Sequence, residues 1–282
     1  MANTSYFEGR NIVIATKHGK ENVIGPTLHE AFGLKYSVAA VDTDQLGTFS
    51  GELDRTLTPL QAAREKCRLA FAMSDADLAI ASEGSFGPHP TLYFMPADEE
   101  IIVLVDRKND LEIAVKHTSL QTNYGYFSSD DNESRVAFFK RVKFPSHALI
   151  VKESTTSNRY LVKGIKTREK LNQAMNECFS QYGQYHLMTD MRAMYNPSRM
   201  MVIKEATEKL IEKMRSRCPG CSRPDFGITD ALKGLICSSC SMPTRSAKAV
   251  IYSCGGCHYT EKKDFPEGKM EEDPMFCDFC NP

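Results

Sequence analysis

Hydrophobic positions in the first half of the chain follow two periods in turn. Asn11 to Ala15 (NIVIA) is a short unbroken apolar run, the pattern of a strand buried on both faces. The polar turn Thr16-Lys17-His18-Gly19-Lys20 follows, and then a helical stretch from about Asn22 to Phe32 that stops at Gly33. Tyr36 to Val41 (YSVAAV) predicts a second strand, ending at Asp42-Thr43-Asp44. Thr58-Pro59 reads as an N-cap with proline at the first helical position. The helix it opens (LQAAREKCRLAFAM) places Leu60, Ala63, Cys67, Ala70 and Phe71 on one face. Leu78 to Ala81 begins a third buried strand, which runs into Ser82 to Pro90, a loop shaped by two glycines and two prolines. Leu92 to Met95 and Ile101 to Val105 continue in strand character. Strands alternating with helices predict an α/β fold over residues 1–166, a mixed sheet flanked by helices.

Beyond it, Ser146 to Lys152 and Arg159 to Ile165 read as strands, and Thr167 caps a helix running to about Gln181. Asn196-Pro197 opens another helix, through about Arg215, with Ile203, Ala206, Leu210, Ile211 and Met214 on its apolar face. Residues 167–216 therefore read as a helical segment packing on or linking two domains. Residues 217–282 read as a small separate module. Cys67 and Cys178 fall on apolar helix faces and are assigned to packing.

Composition adds little to the fold but narrows the function. With 41% apolar and 25% charged residues the chain has the make-up of a soluble globular protein. A net charge of −1 offers no general attraction to nucleic acid or to anionic membranes. The first residues lack the charged and apolar regions of a signal peptide, and no window approaches eighteen apolar residues. A cytoplasmic location is expected, with no membrane association. Ten cysteines in a reducing compartment then point to metal rather than to disulfides.

Eight of those cysteines form four C-x-x-C pairs: Cys218/Cys221, Cys237/Cys240, Cys254/Cys257 and Cys277/Cys280. Two intervening residues allow a tight turn that aims both thiolates at one ion, and a second pair completes the tetrahedron zinc accepts. Two structural zinc ions are expected, in a zinc-ribbon-like module. Sequential pairing, first with second and third with fourth, is favoured over an interleaved cross-brace. Four-cysteine sites leave no position open for water, so the metal replaces a core and does no chemistry. His258 follows Cys257, but each site already has four cysteines. From Cys218 onward seven Lys and Arg face nine Asp and Glu, a balance of −2, which disfavours nucleic acid and leaves a protein partner as the expected contact.

Candidate chemistry lies where the predicted strands end, the usual ligand position of open α/β sheets. Thr16, Lys17 and Lys20 follow the first strand. Asp42 and Asp44 follow the second, with Glu52 and Arg55 behind them, and Glu83, Ser85 and His89 follow the third. Lysines beside a helix N-terminus suit phosphate, and carboxylates suit a hard cation such as magnesium. No G-x-S-x-G, P-loop or G-x-G-x-x-G motif is present.

The order ATKHGKE, an acidic turn with Glu52, the helix AAREKC and then DLAIASEGS resembles nucleotide pyrophosphatases of the inosine/xanthosine triphosphatase type. The likeness spans roughly the first hundred residues. It implies a phosphate loop at Thr16 and Lys20, metal-binding acids at Glu52 and Glu83, and Lys66 on the motif helix. His18 and Ala63 stand where such enzymes carry asparagine. The whole chain is similar to a bacterial family that joins such a domain to a C-terminal double zinc ribbon. The resemblance implies magnesium held by Glu52 and Glu83, with Lys17, Lys20 and Arg55 neutralising phosphate during hydrolysis. The second expectation is a ligand-sensing or adaptor protein whose zinc module docks a protein partner.

Overall fold

The computed structural model describes residues 6–39, 57–128 and 135–282. Asp42, Asp44, Glu52 and Arg55 lie outside the described residues. The chain divides into two units, Met1–Leu210 and Ile211–Pro282.

The first unit opens with β1 (Asn11–Ala15), α1 (Glu21–Phe32), β2 (Lys35–Ala39), α2 (Pro59–Ala72), β3 (Leu78–Pro88), β4 (Pro96–Asp106) and β5 (Leu111–Ser119). The strands form one mixed sheet in the order β2-β1-β3-β4-β5, with β2, β1 and β3 parallel and β3, β4 and β5 antiparallel. α1 stops where Gly33 takes a left-handed φ of 62° and its N–H closes on the His29 carbonyl. α2 begins with a capping box, in which the Thr58 hydroxyl accepts from the Gln61 N–H and the Gln61 side chain returns to the Thr58 N–H.

Side-chain alternation divides the sheet into two faces. Small residues line the face under α2, where Ala63, Cys67 and Ala70 pack on Val13, Ala15, Ala79, Ala81 and Val103. Ile12, Ile14, Leu78, Ile80, Ile102, Leu104 and Ile113 fill the opposite face and are fully buried.

Two expectations are corrected here. Ser82 to Pro88 is strand and not loop, with only His89 and Pro90 left to the turn: β3 stays paired with β4 from Leu78↔Asp106 to Pro88↔Pro96. Its polar side chains do not break the strand because the ladder satisfies the backbone whatever the side chains are. Leu92 to Met95 is the turn of this hairpin and not a strand, closed by Met95 N–H on the Leu92 carbonyl.

A second sheet follows, built from β6 (Tyr126–Ser128), β7 (Leu149–Lys152), β8 (Leu161–Ile165) and β9 (His186–Thr189) in the antiparallel order β6-β9-β7-β8. α3 (Arg135–Arg141) and α4 (Arg168–Tyr182) supply the rest of its core, in which Phe127, Phe138, Leu149, Ile165, Leu171, Cys178 and Leu187 are buried together. α4 starts at Thr167, whose hydroxyl accepts from the Lys170 N–H. α5 (Pro197–Arg215) begins at Asn196, whose Oδ1 accepts from the Arg199 N–H. Residues 167–216 are thus not a purely helical segment. β9 lies within them, between β6 and β7 in the sheet.

The second unit contains β10 (Gly227–Lys233), β11 (Ile236–Cys237), β12 (Ala247–Ser253), β13 (Thr260–Asp264) and β14 (Glu271–Glu272). β10, β12 and β13 form an antiparallel sheet, and β11 pairs with β14 in parallel. Most strand residues here are exposed. The interior is small, and one buried cluster is made of Cys218, Phe226 and Cys254.

Candidate functional site

The eight cysteines of the second unit gather into two groups, Cys218/Cys221/Cys254/Cys257 and Cys237/Cys240/Cys277/Cys280. The first pair therefore joins the third and the second joins the fourth, so the sequential pairing gives way to the interleaved one. Within each group the ligand atoms all lie within 4.8 Å of one another. The sulfur pairs Cys218–Cys257, Cys221–Cys254 and Cys240–Cys277 stand at 3.6 Å, and Cys237–Cys280 at 3.9 Å. A tetrahedral zinc with Zn–S of about 2.3 Å sets its sulfurs about 3.8 Å apart. Each group could hold one zinc ion.

The four knuckles repeat one backbone device. Ser222, Ser241, His258 and Asn281 donate N–H to the carbonyls of Cys218, Cys237, Cys254 and Cys277. Ser222, Ser241 and His258 do so with left-handed φ near 60°. Backbone N–H groups of Cys257 and Gly256 hold the Cys254 thiol down to about 6, and those of Cys240 and Ser239 hold Cys237 down to about 7. Both favour the thiolate that binds metal.

The first unit holds a different cluster, at the carboxyl end of β1 and the middle of β3. The chain leaves β1 for β2 on one side, while β3 lies on the other. This is the topological switch point where open α/β sheets bind ligands. β1 stops at Ala15, opposite Ala81, while β3 runs on, so the edge of β3 faces the turn that opens α1. Lys20 reaches across it and donates to both the carbonyl and the hydroxyl of Ser82, each at 3.0 Å. Burial, with Arg199 next, holds the Lys20 ammonium down to about 8.

Around Lys20 stand two ion pairs. Lys66 of α2 pairs with Glu83 of β3, and Arg199 of α5 pairs with Glu100 of β4 at 2.6 Å. Arg199 also donates to the Met191 carbonyl and stacks 4.8 Å above the Phe86 ring. Gly84 makes room for this, since a Cβ there would stand 2.3 Å from the guanidinium and 2.6 Å from Glu100 Oε1. Asp98 and Glu100 are fully buried on the same face of β4. Both Asp98 oxygens and Glu100 Oε2 accept no hydrogen bond among the described residues, and neither does the buried Thr16 hydroxyl. Burial, with the nearby Glu100 charge, pushes the Asp98 carboxyl up to about 8. With Asp98 protonated, three cations face two carboxylates, and the cluster carries a net positive charge.

Of the residues proposed from sequence, Lys20 and Glu83 come together here, and buried Thr16 directly follows β1. Lys17 is exposed. Ser85 lies two residues further along β3 on the Glu83 face. His89 belongs to the hairpin turn, where its Nδ1 accepts from the N–H groups of Thr91 and Leu92. It stands six residues beyond Glu83, out of the cluster.

Three members were missed: Asp98, Glu100 and Arg199. Each carries a local signal. Asp98 and Glu100 extend the fully buried row of Ile102 and Leu104 at a spacing of two. Arg199 puts a cation in the first turn of a helix, against the macrodipole.

No helix among the described residues is long and apolar enough to cross a membrane. No curated protein matches the chain. Residues 66–282, well over half of the sequence, match the model of a family described as a domain of unknown function (DUF6671).

Proposed function

The chain belongs to the DUF6671 family, and from the geometry of its own side chains we propose that the first unit binds a phosphorylated small molecule together with a divalent cation, while two structural zinc ions hold the second unit. The observation that carries this reading is the gathering of Lys20, Lys66 and Arg199 around Glu83, Glu100 and Asp98, where both Asp98 oxygens and Glu100 Oε2 accept no hydrogen bond among the described residues. Phosphate suits the cations, as does the nearby start of α1. Unpartnered carboxylate oxygens suit a hard cation, which would draw the Asp98 proton off. Glu83 is the most exposed of the six ionisable groups, with 14% of its side chain in water, so the ligand approaches past the Lys66–Glu83 pair.

Hydrolysis of the phosphate ester or anhydride extends the same reading. A cation held by Asp98 and Glu100 would supply Lewis-acid activation of the phosphate, and a carboxylate such as Glu83 would take the proton of the attacking water. The test is a thermal-shift screen of phosphate compounds with and without magnesium, followed by a turnover assay on those that stabilise. Stabilisation that requires magnesium and is lost in Lys20→Gln supports the site. Release of phosphate or pyrophosphate that disappears in Glu83→Ala supports the enzyme. A protein unmoved by the whole screen overturns the reading.

A second reading, a sensor or adaptor docking a protein through its zinc module, is favoured by the exposed Met270, Met275, Phe276 and Phe279 around the last knuckle. Ligand stabilisation without turnover separates it from the enzyme.

A further inference from the structure

Past the charged cluster, β3 leads to a second feature that phosphate binding does not use. A pocket of about 430 Å3 opens between the tip of the β3–β4 hairpin and the start of β6, lined by Gly87, Tyr93, Phe94, Tyr124, Tyr126 and Arg141. Tyr93, Phe94 and Tyr126 are 77%, 84% and 72% exposed, so three aromatic rings stand in water around one concavity. The hairpin tip that presents two of them is pinned by His89, which accepts from Thr91 and Leu92 and donates its own N–H to the Met95 carbonyl. Arg141 is placed with equal care. Its guanidinium stacks 5.3 Å from the Phe138 ring, and a Cβ at Gly125 would stand 2.6 Å from it. The planar cation therefore lies close along the Gly125 backbone.

The pocket lies close to the charged cluster. Arg199 sits over Phe86, whose ring centroid is 6.1 Å from that of Tyr124 in the pocket wall. Gly84, beneath Arg199, is three residues from Gly87, which is about 10 Å along a strand. We infer that this pocket receives a planar heteroaromatic ring of the same ligand whose phosphate is held by Lys20, Lys66 and Arg199. The inference rests on the phosphate-binding reading. Aromatic walls offer π faces for stacking, and Arg141 offers in-plane N–H donors to ring nitrogen or carbonyl acceptors. A flexible aliphatic group would use neither.

The full zinc-loaded chain tests this by calorimetric titration, in magnesium, with tripolyphosphate, ribose 5-phosphate, ATP, GTP, CTP and UTP. At least one ring-bearing triphosphate is expected to bind about tenfold or more tightly than tripolyphosphate. Phe94→Ala and Tyr126→Ala, both at exposed positions, should remove that advantage and leave tripolyphosphate binding unchanged. Lys20→Gln should weaken all of them. Equal affinity for tripolyphosphate and every ring-bearing compound overturns the ring pocket and leaves the phosphate site standing. So does an equal loss in both classes on Tyr126→Ala. Failure of every compound to bind removes both proposals together.

Discussion

Asp98 occupies a position that water would normally relieve: it is fully buried, and neither oxygen accepts a hydrogen bond among the described residues. Burial raises its carboxyl to about 8, against about 4 in an unfolded chain. Between those values the native state keeps a proton that the unfolded state has lost, so stability falls as pH rises from about 4 to about 8. Lys20 acts with the opposite sign. Its ammonium is held down to about 8, so between about pH 8 and 10.5 the unfolded chain binds the extra proton and stability rises with pH. Asp98→Asn should match the parent melting temperature near pH 4 and exceed it by roughly 10–20 °C at pH 8, measured by scanning calorimetry without divalent cation. Magnesium should close that gap by stabilising the parent alone. A variant that tracks the parent across the whole range would show that Asp98 is ionised throughout.

Among the elements, the helix starts were the most legible from sequence. Thr58-Pro59, Thr167 and Asn196-Pro197 each open a helix where expected, because a cap acts within three residues of itself. Thr58→Ala should lower stability by about 1 kcal/mol, read as a shift in urea midpoint at constant slope. The strand after Ala81 was illegible for the opposite reason. Ser82, Glu83, Gly84, Ser85 and Gly87 look like a loop by composition, and only the facing strand, with Glu100 opposite Gly84 and Asp98 opposite Phe86, makes them sheet. Arg199 joins two elements nearly a hundred residues apart, α5 and β4, through Glu100. Arg199→Leu leaves that buried carboxylate unpaired and should cost about 3–5 kcal/mol. Arg199→Leu combined with Glu100→Gln should recover most of it, as a double-mutant cycle would report.

On the scale of the whole molecule the two units have different sources of stability. The first carries extended apolar cores, whereas one buried cluster of the second is two cysteines and a phenylalanine. Removing metal with a strong chelator at neutral pH should abolish the ordered amide signals of residues 211–282 and leave those of the first unit, as followed by NMR. Cadmium-113 substitution tests the pairing directly. One cadmium should correlate with the β-protons of Cys218, Cys221, Cys254 and Cys257, and the other with those of Cys237, Cys240, Cys277 and Cys280. Correlations joining Cys221 to Cys237 would restore the sequential arrangement.

By itself the sequence determined most of what acts over short distances. It marked the α/β alternation, the three capped helix starts, the stop at Gly33 and the four cysteine pairs, because caps, 3.6- and 2-residue periods and C-x-x-C turns are local. It also singled out Lys20 and Glu83, although Glu83, read as following a strand, lies within β3. Only the tertiary structure decided which cysteine pairs share a metal and which charges share a site. Loop closure could not choose between the pairings, since doubling a loop costs only about 0.6 kcal/mol. The interleaved sites join sulfurs 33 to 43 residues apart because the β10-β12-β13 sheet and the β11–β14 pair bring those knuckles together. Asp98, Glu100 and Arg199 meet Lys20 for the same reason. Their positions follow from strand register and from the helix laid across it, and burial then gives their charges an influence that no local pattern records.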